Sequence, residues 1–441
     1  MNKFKRGVEA RYIALKAIAG VRRGEHGDDV LRKLLANSKL ESRDRALAYA
    51  ITMAVLRNLI HIDVIVDSLV IGKKLDDPVR DALRIGVAQL HFMTKIPPHA
   101  AVSTAVELVK ISSKSSSSGL VNAVMRRIVV GDIPKIGPFD SEIDRISIEN
   151  SHPKWLIDRW ISRHGVEFAE SLSAANNREP NLTIRANSRR MPAVELEIYF
   201  KEKEISAMQM SDFPEYLSVE NCGDPAALAG FADGLFSIQD PAFGVPVWML
   251  SPMPGETILE IGCAPGGKIT HLAEIAGGDI ELHGIDISGS RMAMVEDNLR
   301  RLGLSEDVEL HVADALHFEM PKYFDAILLD VPCTSLGVVR RHPEIRYIRR
   351  PEDISRMAAI QHDLIAAAFR LLKPGGRLVY CSCSTEPEEG EGHLDSLPAG
   401  ASPVRVATGI PQSMQDGVIV RTWPHLHGTD GMFCASIAKD G

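Results

Sequence analysis

Two apolar runs in this sequence end in residues that do chemistry rather than pack. Phe324-Asp325-Ala326-Ile327-Leu328-Leu329-Asp330 closes on an acid and passes into Val331-Pro332-Cys333. A run this short, with Pro just beyond it, reads as a buried parallel strand entering a loop. A second run, from Arg377, closes on Cys381-Ser382-Cys383. Open α/β sheets hold their ligands at the carboxyl ends of strands. Asp330, Cys333 and Cys383 therefore form a candidate site, with the thiols as candidate nucleophiles, because a thiolate attacks carbon readily. Zinc is the poorer use of these thiols. Cys381-x-Cys383 lacks the two-residue gap of a zinc knuckle and no His stands at partner spacing, so no metal is expected.

A third strand end carries Leu259-Glu260-Ile261-Gly262-Cys263-Ala264-Pro265-Gly266-Gly267-Lys268. Small residues there let backbone approach a ligand, and the helix that follows offers free N–H groups. Such a turn alone fits NAD, FAD or S-adenosylmethionine. Asp286 ends the next strand, where an acid can bind ribose hydroxyls, and Asp314 follows the third, in reach of an adenine ring. Together the three positions indicate a nucleoside cofactor. The chemistry that joins such a cofactor to paired thiols is methylation at carbon 5 of a pyrimidine. That carbon is too weak a nucleophile alone; thiolate addition at carbon 6 activates it, a nearby acid assists at the ring nitrogen, and a base later removes the carbon-5 proton. These residues leave open which thiol attacks.

The elements that position these groups alternate regularly. Strands are expected at Thr257–Ile261, Glu281–Ile285, Val308–Val312, Ala326–Leu329 and Arg377–Cys381. Helices are expected at Lys268–Ala276, Arg291–Leu302 and Ile354–Leu372, with Lys373-Pro374-Gly375-Gly376 as the turn before the last strand. This is a doubly wound, mostly parallel α/β sheet. Residues 8–130 are helical by periodicity, with Asp77-Pro78 opening one helix and Pro97-Pro98 interrupting another. The run Ser112 to Ser118 reads as a flexible surface loop. Gly131–Phe139 reads as a linker, Pro153–Ala175 as a helix and Asn181–Ala186 as a strand. The expected organisation is an all-α domain over 1–130, a linker and small α/β insert over 131–235, and the sheet domain over 236–441.

At 441 residues the chain exceeds the roughly 250–300 at which one core stops growing. No run approaches the ~18 apolar residues of a membrane span, and the charged start Met1-Asn2-Lys3-Phe4-Lys5-Arg6 lacks a signal-peptide core. Six cysteines are too few for a disulfide framework, so a cytoplasmic protein, a monomer without a membrane partner, is expected. The net charge of −8 is uneven. Residues 1–33 hold nine Lys/Arg against four Asp/Glu, and residues 340–350 hold five Arg against one Glu. Screening confines such patches to about 8–10 Å, so they can meet phosphates despite the total.

Several stretches carry a family resemblance. Asp44-Arg45-Ala46, Val79 to Gly86, Pro98-His99-Ala100-Ala101-Val102 and Gly119 to Arg126 resemble a NusB-type RNA-binding domain. Pro265-Gly266-Gly267-Lys268, Asp330-x-Pro332-Cys333, Gly337-x-x-Arg340-Arg341-His342-Pro343-Glu344-Ile345, Cys383-Ser384-x-x-Pro387-Glu388-Glu389 and Asp430-Gly431-Met432-Phe433 resemble the RNA 5-methylcytosine methyltransferases. The whole chain resembles the ribosomal small-subunit methyltransferase B family. The resemblance implies a Rossmann-type S-adenosylmethionine domain behind a NusB-like domain, acting on a cytosine of small-subunit ribosomal RNA. It implies Cys383 as nucleophile, Cys333 as the residue that assists release, and Asp330 at the cytosine and the methionine end of the cofactor. Gly262, Cys263, Ala264, Pro265, Gly266, Gly267, Lys268, Asp286 and Asp314 would hold S-adenosylmethionine. Lys5, Arg6, Arg11, Arg340, Arg341 and Arg346 would face RNA. Two departures stand out: Gly262-Cys263-Ala264 replaces the family's usual Cys-Ala-Ala, and Cys381-Ser382 replaces a small residue and Thr. Competing readings are a transfer-RNA cytosine-5 methyltransferase, a non-catalytic RNA-binding assembly factor, and, weakest, a dehydrogenase, which has no use for paired thiols.

Overall fold

A computed structural model describes residues 7–72, 74–112, 114–220, 222–321, 323–405 and 409–441. The chain divides into two compact units, one running to Glu179 and taking in Val339–Arg349, the other comprising Pro180–Val338 and Arg350–Gly441. The division falls inside the stretch expected as a single insert.

The first unit is helical. Helices span Val8–Arg22, Gly27–Ala36, Ser42–Arg57, Leu59–Leu69, Asp77–His91, Pro98–Ile111 and Ser118–Val129. Their apolar stripes close on one core that includes Ile18, Ile51, Val55, Leu83, Ala105 and Val121. The serine run forms a 3-10 turn at Ser115–Ser117. The helix expected over Pro153–Ala175 is two helices, Lys154–His164 and Val166–Asn177, broken at Gly165, whose φ of 86° only glycine adopts without strain. Among the described residues no single helix is long and apolar enough to cross a membrane. The pair Ser42–Arg57 and Leu59–Leu69, bent by 78°, passes on length and composition, but its Ile51, Val55, Leu56, Ile62 and Val66 are core residues.

Two arginines expected to face RNA lie inside this unit instead. Arg11 is 4% exposed, its Nε donating to Gln89 Oε1 at 2.7 Å and its Nη1 to the Gly7 carbonyl at 2.7 Å. Arg346 is fully buried, donating to Asn177 Oδ1 at 2.7 Å and to the carbonyls of Ser151 at 3.1 Å and Asn176 at 3.3 Å. Burial pushes its pKa down to about 10. Both guanidiniums satisfy backbone or amide acceptors that would otherwise be orphaned, and neither is open to a phosphate. Lys5 and Arg6 lie outside the described residues.

The second unit holds two sheets. The strands in chain order are β1 Leu182–Ala186, β2 Ala207–Met210, β3 Phe213–Val219, β4 Phe236–Ile238, β5 Thr257–Ile261, β6 Glu281–Asp286, β7 Val308–Val312, β8 Phe324–Asp330, β9 Leu372–Ser382, β10 Ala401–Val404, β11 Gln415–Asp416, β12 Ile419–Thr422 and β13 Met432–Lys439. The smaller sheet is antiparallel, in the order β2-β3-β1-β4, with Leu196 and Phe200 of the helix Ala193–Glu202 in its core. The larger runs β11-β12-β13-β9-β8-β5-β6-β7, with β10 beside β13. Pairs β9–β8, β8–β5, β5–β6 and β6–β7 are parallel, and β13 runs antiparallel to β9. Helices Gly267–Ala276, Gly289–Leu302 and Pro351–Leu371 make the crossovers. The chain leaves β5 toward β6 and β7, then returns to β8 on the other side. The β5/β8 boundary is therefore the switch point where such sheets open a crevice.

Candidate active site

At that switch point, Gly262 follows β5 with a φ of 77°, and a Cβ there would lie 2.3 Å from the Asp330 carbonyl oxygen at the end of β8. Only glycine fits. Its N–H and that of Cys263 are held by the Ile285 carbonyl, at 2.9 and 3.1 Å. Gly266, at φ 104°, turns the chain into the helix Gly267–Ala276. The first turn of that helix is held by Arg185 of β1, whose Nη1 donates to the Gly267 carbonyl at 2.9 Å and whose Nε and Nη2 reach Glu274 at 3.1 and 3.0 Å. Arg185 stands in no motif, so nothing local in the sequence marks it.

The adjoining cleft of about 340 Å³ is lined by Gly262, Asp286, Asp314, Asp330, Leu316 and Ile360 among others. Asp286 Oδ1 accepts the Ser288 N–H at 2.8 Å, while Oδ2 meets Arg291 only at 3.5 Å. Asp314 accepts the Leu316 N–H at 3.0 Å and faces His317 Nδ1 at 3.1 Å; the first of these contacts, then the second, holds its carboxyl below the usual range. Beneath the loop, Glu260 is buried, and burial pushes its carboxyl well above the usual range. Its Oε2 has no hydrogen-bond partner among the described residues. A glycine cradle and a nearly unclaimed carboxylate oxygen are the features a nucleoside cofactor with a polar tail would fill.

Lys268 Nζ stands 2.6 Å from Asp330 Oδ2. Burial alone would lower the ammonium, but Asp330, Cys381 and Glu260 together outweigh it, so the pKa rises and the charge is kept. On the far side of Asp330 the two loops bring the thiols together, with Cys333 Sγ 2.8 Å from Cys383 Sγ. That is well beyond the roughly 2.05 Å of a disulfide, and it puts the two free thiols in direct contact. The hydrogen bond from Cys383 lowers the Cys333 thiol against the effect of burial, and the same contact, with burial, raises Cys383. Ser335, with a left-handed φ of 62°, places its hydroxyl 3.8 Å from Cys333 and 3.7 Å from Cys383. Cys381, Cys263 and Cys434 are raised chiefly by burial and behave as small apolar residues.

A further carboxylate, quoted in sequence only as part of a motif, joins the two thiol loops. Glu389 Oε1 accepts the Thr334 N–H at 2.8 Å and Gln361 Nε2 at 3.1 Å, and Oε2 accepts the hydroxyls of Thr334 and Ser384, the latter at 2.5 Å. Thr334 and Ser384 are the residues directly after Cys333 and Cys383. Gly337 adds a second tie. Its N–H donates to the Cys383 carbonyl at 2.9 Å, and a Cβ on it would lie 2.2 Å from the Gly431 carbonyl oxygen. Arg340 is buried and Arg341 half-buried, both within the Val339–Arg349 segment of the helical unit.

Three family models match the chain: 16S rRNA methyltransferase RsmB/F over residues 247–438, the NusB family over 8–130, and a Methyltr_RsmF/B-like ferredoxin-like domain over 152–224. Ribosomal RNA small subunit methyltransferase B of Klebsiella pneumoniae is 32% identical over 99% of both chains. The chain belongs to the ribosomal RNA small subunit methyltransferase B family. A Bacillus subtilis protein named as a probable ribosomal RNA small subunit methyltransferase B is 29% identical over 98% of this chain and 99% of its own. Among solved structures, the crystallised protein PH0851 covers 99% of this chain and all of its own at 26% identity, with a TM-score of 0.82. A methyltransferase homologue from Pyrococcus horikoshii covers 68% of this chain and all of its own at 28% identity, with a TM-score of 0.59. Membership accounts for the two-part design: the NusB match covers the helical front, and the methyltransferase match covers the strand ends that carry Gly262, Asp286, Asp314, Asp330, Cys333 and Cys383.

Proposed function

We propose that this protein transfers a methyl group from S-adenosylmethionine to carbon 5 of one cytosine in small-subunit ribosomal RNA, through a covalent bond between Cys383 and carbon 6. The observation that carries the proposal is the 2.8 Å contact between Cys333 and Cys383 beside the Asp330–Lys268 pair. When bound, S-adenosylmethionine supplies an electrophilic methyl at the switch-point crevice. Gly262 to Lys268 would admit its methionine end, Asp286 its ribose and Asp314 its adenine.

In this mechanism the thiol pair holds one proton at rest, on Cys383, whose thiol is raised while that of Cys333 is lowered. As the base arrives, that proton passes to Cys333 and the Cys383 thiolate forms the bond to carbon 6. Electron density moves into the ring, where Asp330 orients and stabilises the ring-nitrogen edge, and carbon 5 becomes nucleophilic toward the methyl. Cys333, having lost its proton to solvent, then removes the carbon-5 proton. The carbon 6–sulfur bond breaks and its electron pair returns to Cys383. One proton is released overall. The NusB-matching helices, with the half-buried Arg341 in the same unit, are proposed to bind the RNA, while the buried Arg340, like Arg11 and Arg346, is closed to a phosphate; a target held in a stem must be flipped out to reach Cys383.

The test is methylation of ribosomal RNA lacking the modification, with labelled S-adenosylmethionine and bisulfite sequencing. One 5-methylcytosine in the small-subunit RNA is expected. Label on another atom or on transfer RNA alone would overturn the reading.

A further inference from the structure

Away from the strand ends, β6 and β7 bring a second group of chemistry-bearing side chains onto one face. His283 of β6 pairs with Glu309 of β7, and His311 follows two residues on in the same parallel register. His283 is fully buried, His311 is 25% exposed at its side chain and Glu309 63%. None of the three lines the cofactor cleft.

Their separations are informative. His283 Nδ1 lies 3.3 Å from His311 Nε2 and 3.6 Å from Glu309 Oε2, and His311 Nε2 lies 3.6 Å from Glu309 Oε1. Each exceeds the roughly 2.7–3.2 Å of a good hydrogen bond. The nitrogen–nitrogen separation matches one edge of a coordination tetrahedron, and each nitrogen has a different oxygen of the Glu309 carboxylate at a similar distance, with one ligand atom per residue lying within 4.8 Å of the others. With metal–ligand bonds of about 2.0–2.2 Å, ligand atoms stand about 3.3–3.6 Å apart.

The orientation of His283 points the same way. Its other ring nitrogen, Nε2, faces Glu281 Oε1 at 3.2 Å. An N–H donated to that carboxylate leaves the Nδ1 lone pair directed at His311 and Glu309, the carboxylate–imidazole arrangement that orients metal ligands. The side toward solvent is open, since Glu281 and Glu309 both border an open groove.

We propose that His283, His311 and Glu309 bind one divalent transition-metal ion of the zinc type, with water as the fourth ligand and Glu281 positioning His283. Two imidazoles and one carboxylate favour such an ion over magnesium or calcium. The ion would clip the edge strand β7 to β6, a structural role independent of methyl transfer.

The test uses the full chain, stripped with a chelator and titrated with Zn²⁺ and with Co²⁺. One equivalent is expected to bind, with Co²⁺ giving the visible bands of a four-coordinate nitrogen–oxygen site and no sulfur charge-transfer band. His311→Ala is expected to abolish that equivalent, and Glu281→Gln to weaken it by about tenfold or more. Unchanged circular dichroism of the metal-free variants checks folding; should His311→Ala fail that check, Glu309→Gln at the exposed side chain makes the same comparison. Absence of binding, an equivalent that survives in both His311→Ala and Glu309→Gln, or a sulfur band on the bound Co²⁺, which would place the ion at the cysteines, would overturn the proposal.

Discussion

Cys333 and Cys383 approach to 2.8 Å across neighbouring loops, without a disulfide between them. The proposed mechanism gives the two sulfurs different roles. Cys383→Ala should abolish methyl transfer, whereas Cys333→Ala should attack the base more slowly, its Cys383 proton passing to solvent, and then stall, leaving a protein–RNA adduct that survives denaturing electrophoresis. Methyl transfer by Cys383→Ala would refute the assignment of the nucleophile.

The contact between the thiols sets a pH dependence. The contact lowers the Cys333 thiol from its ordinary value. The thiolate is therefore present above that lowered value and is lost as pH falls through it. Alkylation of the native protein should titrate below the ~8.5 of a free cysteine, and Cys383→Ala, which removes the hydrogen-bond donor, should move that titration upward. The other described thiols are raised by burial and should react slowly. A titration unmoved by Cys383→Ala would show that the sulfurs do not share a proton.

Glu389 receives four donors from Thr334, Ser384 and Gln361. Glu389→Gln turns an NH₂ toward groups that donate and should cost about 1–3 kcal/mol of stability. Because the lost bonds lie beside both thiols, kcat should fall while KM for the cofactor changes little. Unfolding midpoints and steady-state kinetics on the same variant check this. A rise in cofactor KM with unchanged kcat would place the effect elsewhere.

Gly262 has no room for a side chain. Gly262→Ala imposes a positive φ on a residue with a Cβ, at a cost of about 1–2 kcal/mol, and pushes that methyl against the Asp330 carbonyl, which adds to it. Cofactor affinity, read by calorimetric titration, should fall more than RNA affinity does.

Arg346 is a structural arginine. Arg346→Met strands the carbonyls it serves and should destabilise the protein by about 3 kcal/mol in denaturant unfolding. At temperatures where the variant stays folded, the salt dependence of RNA binding should keep its slope, since no phosphate contact is lost.

Much of the sheet domain was legible because its signals are local. The spans β5 and β7 coincide with the expected strands, and β6, β8 and β9 extend theirs by a few residues, since buried parallel strands are continuous apolar runs. Periodicity predicts one helix over Pro153–Ala175 because one glycine inside an apolar period carries a weak breaking signal, while the φ of 86° that breaks it is decided by packing. Lys373 to Gly376, expected as a turn, belongs to β9, whose pairing with β8 shifts register between Phe324 and Ala326.

By itself the sequence determined the helical front, the alternating sheet, the glycine loop, and the placing of Asp330, Cys333 and Cys383 at strand ends, because each follows from residue type and short-range period. Only the tertiary structure decided the rest: that β8 lies between β5 and β9, so acid, cradle and thiols meet; that Glu389 ties Cys333's loop to Cys383's; that Arg11 and Arg346 are buried; and that His283, Glu309 and His311 share a face. Those facts depend on pairing between segments far apart in the chain. Strand order and burial are set by the summed packing of the whole unit, and no local pattern encodes them.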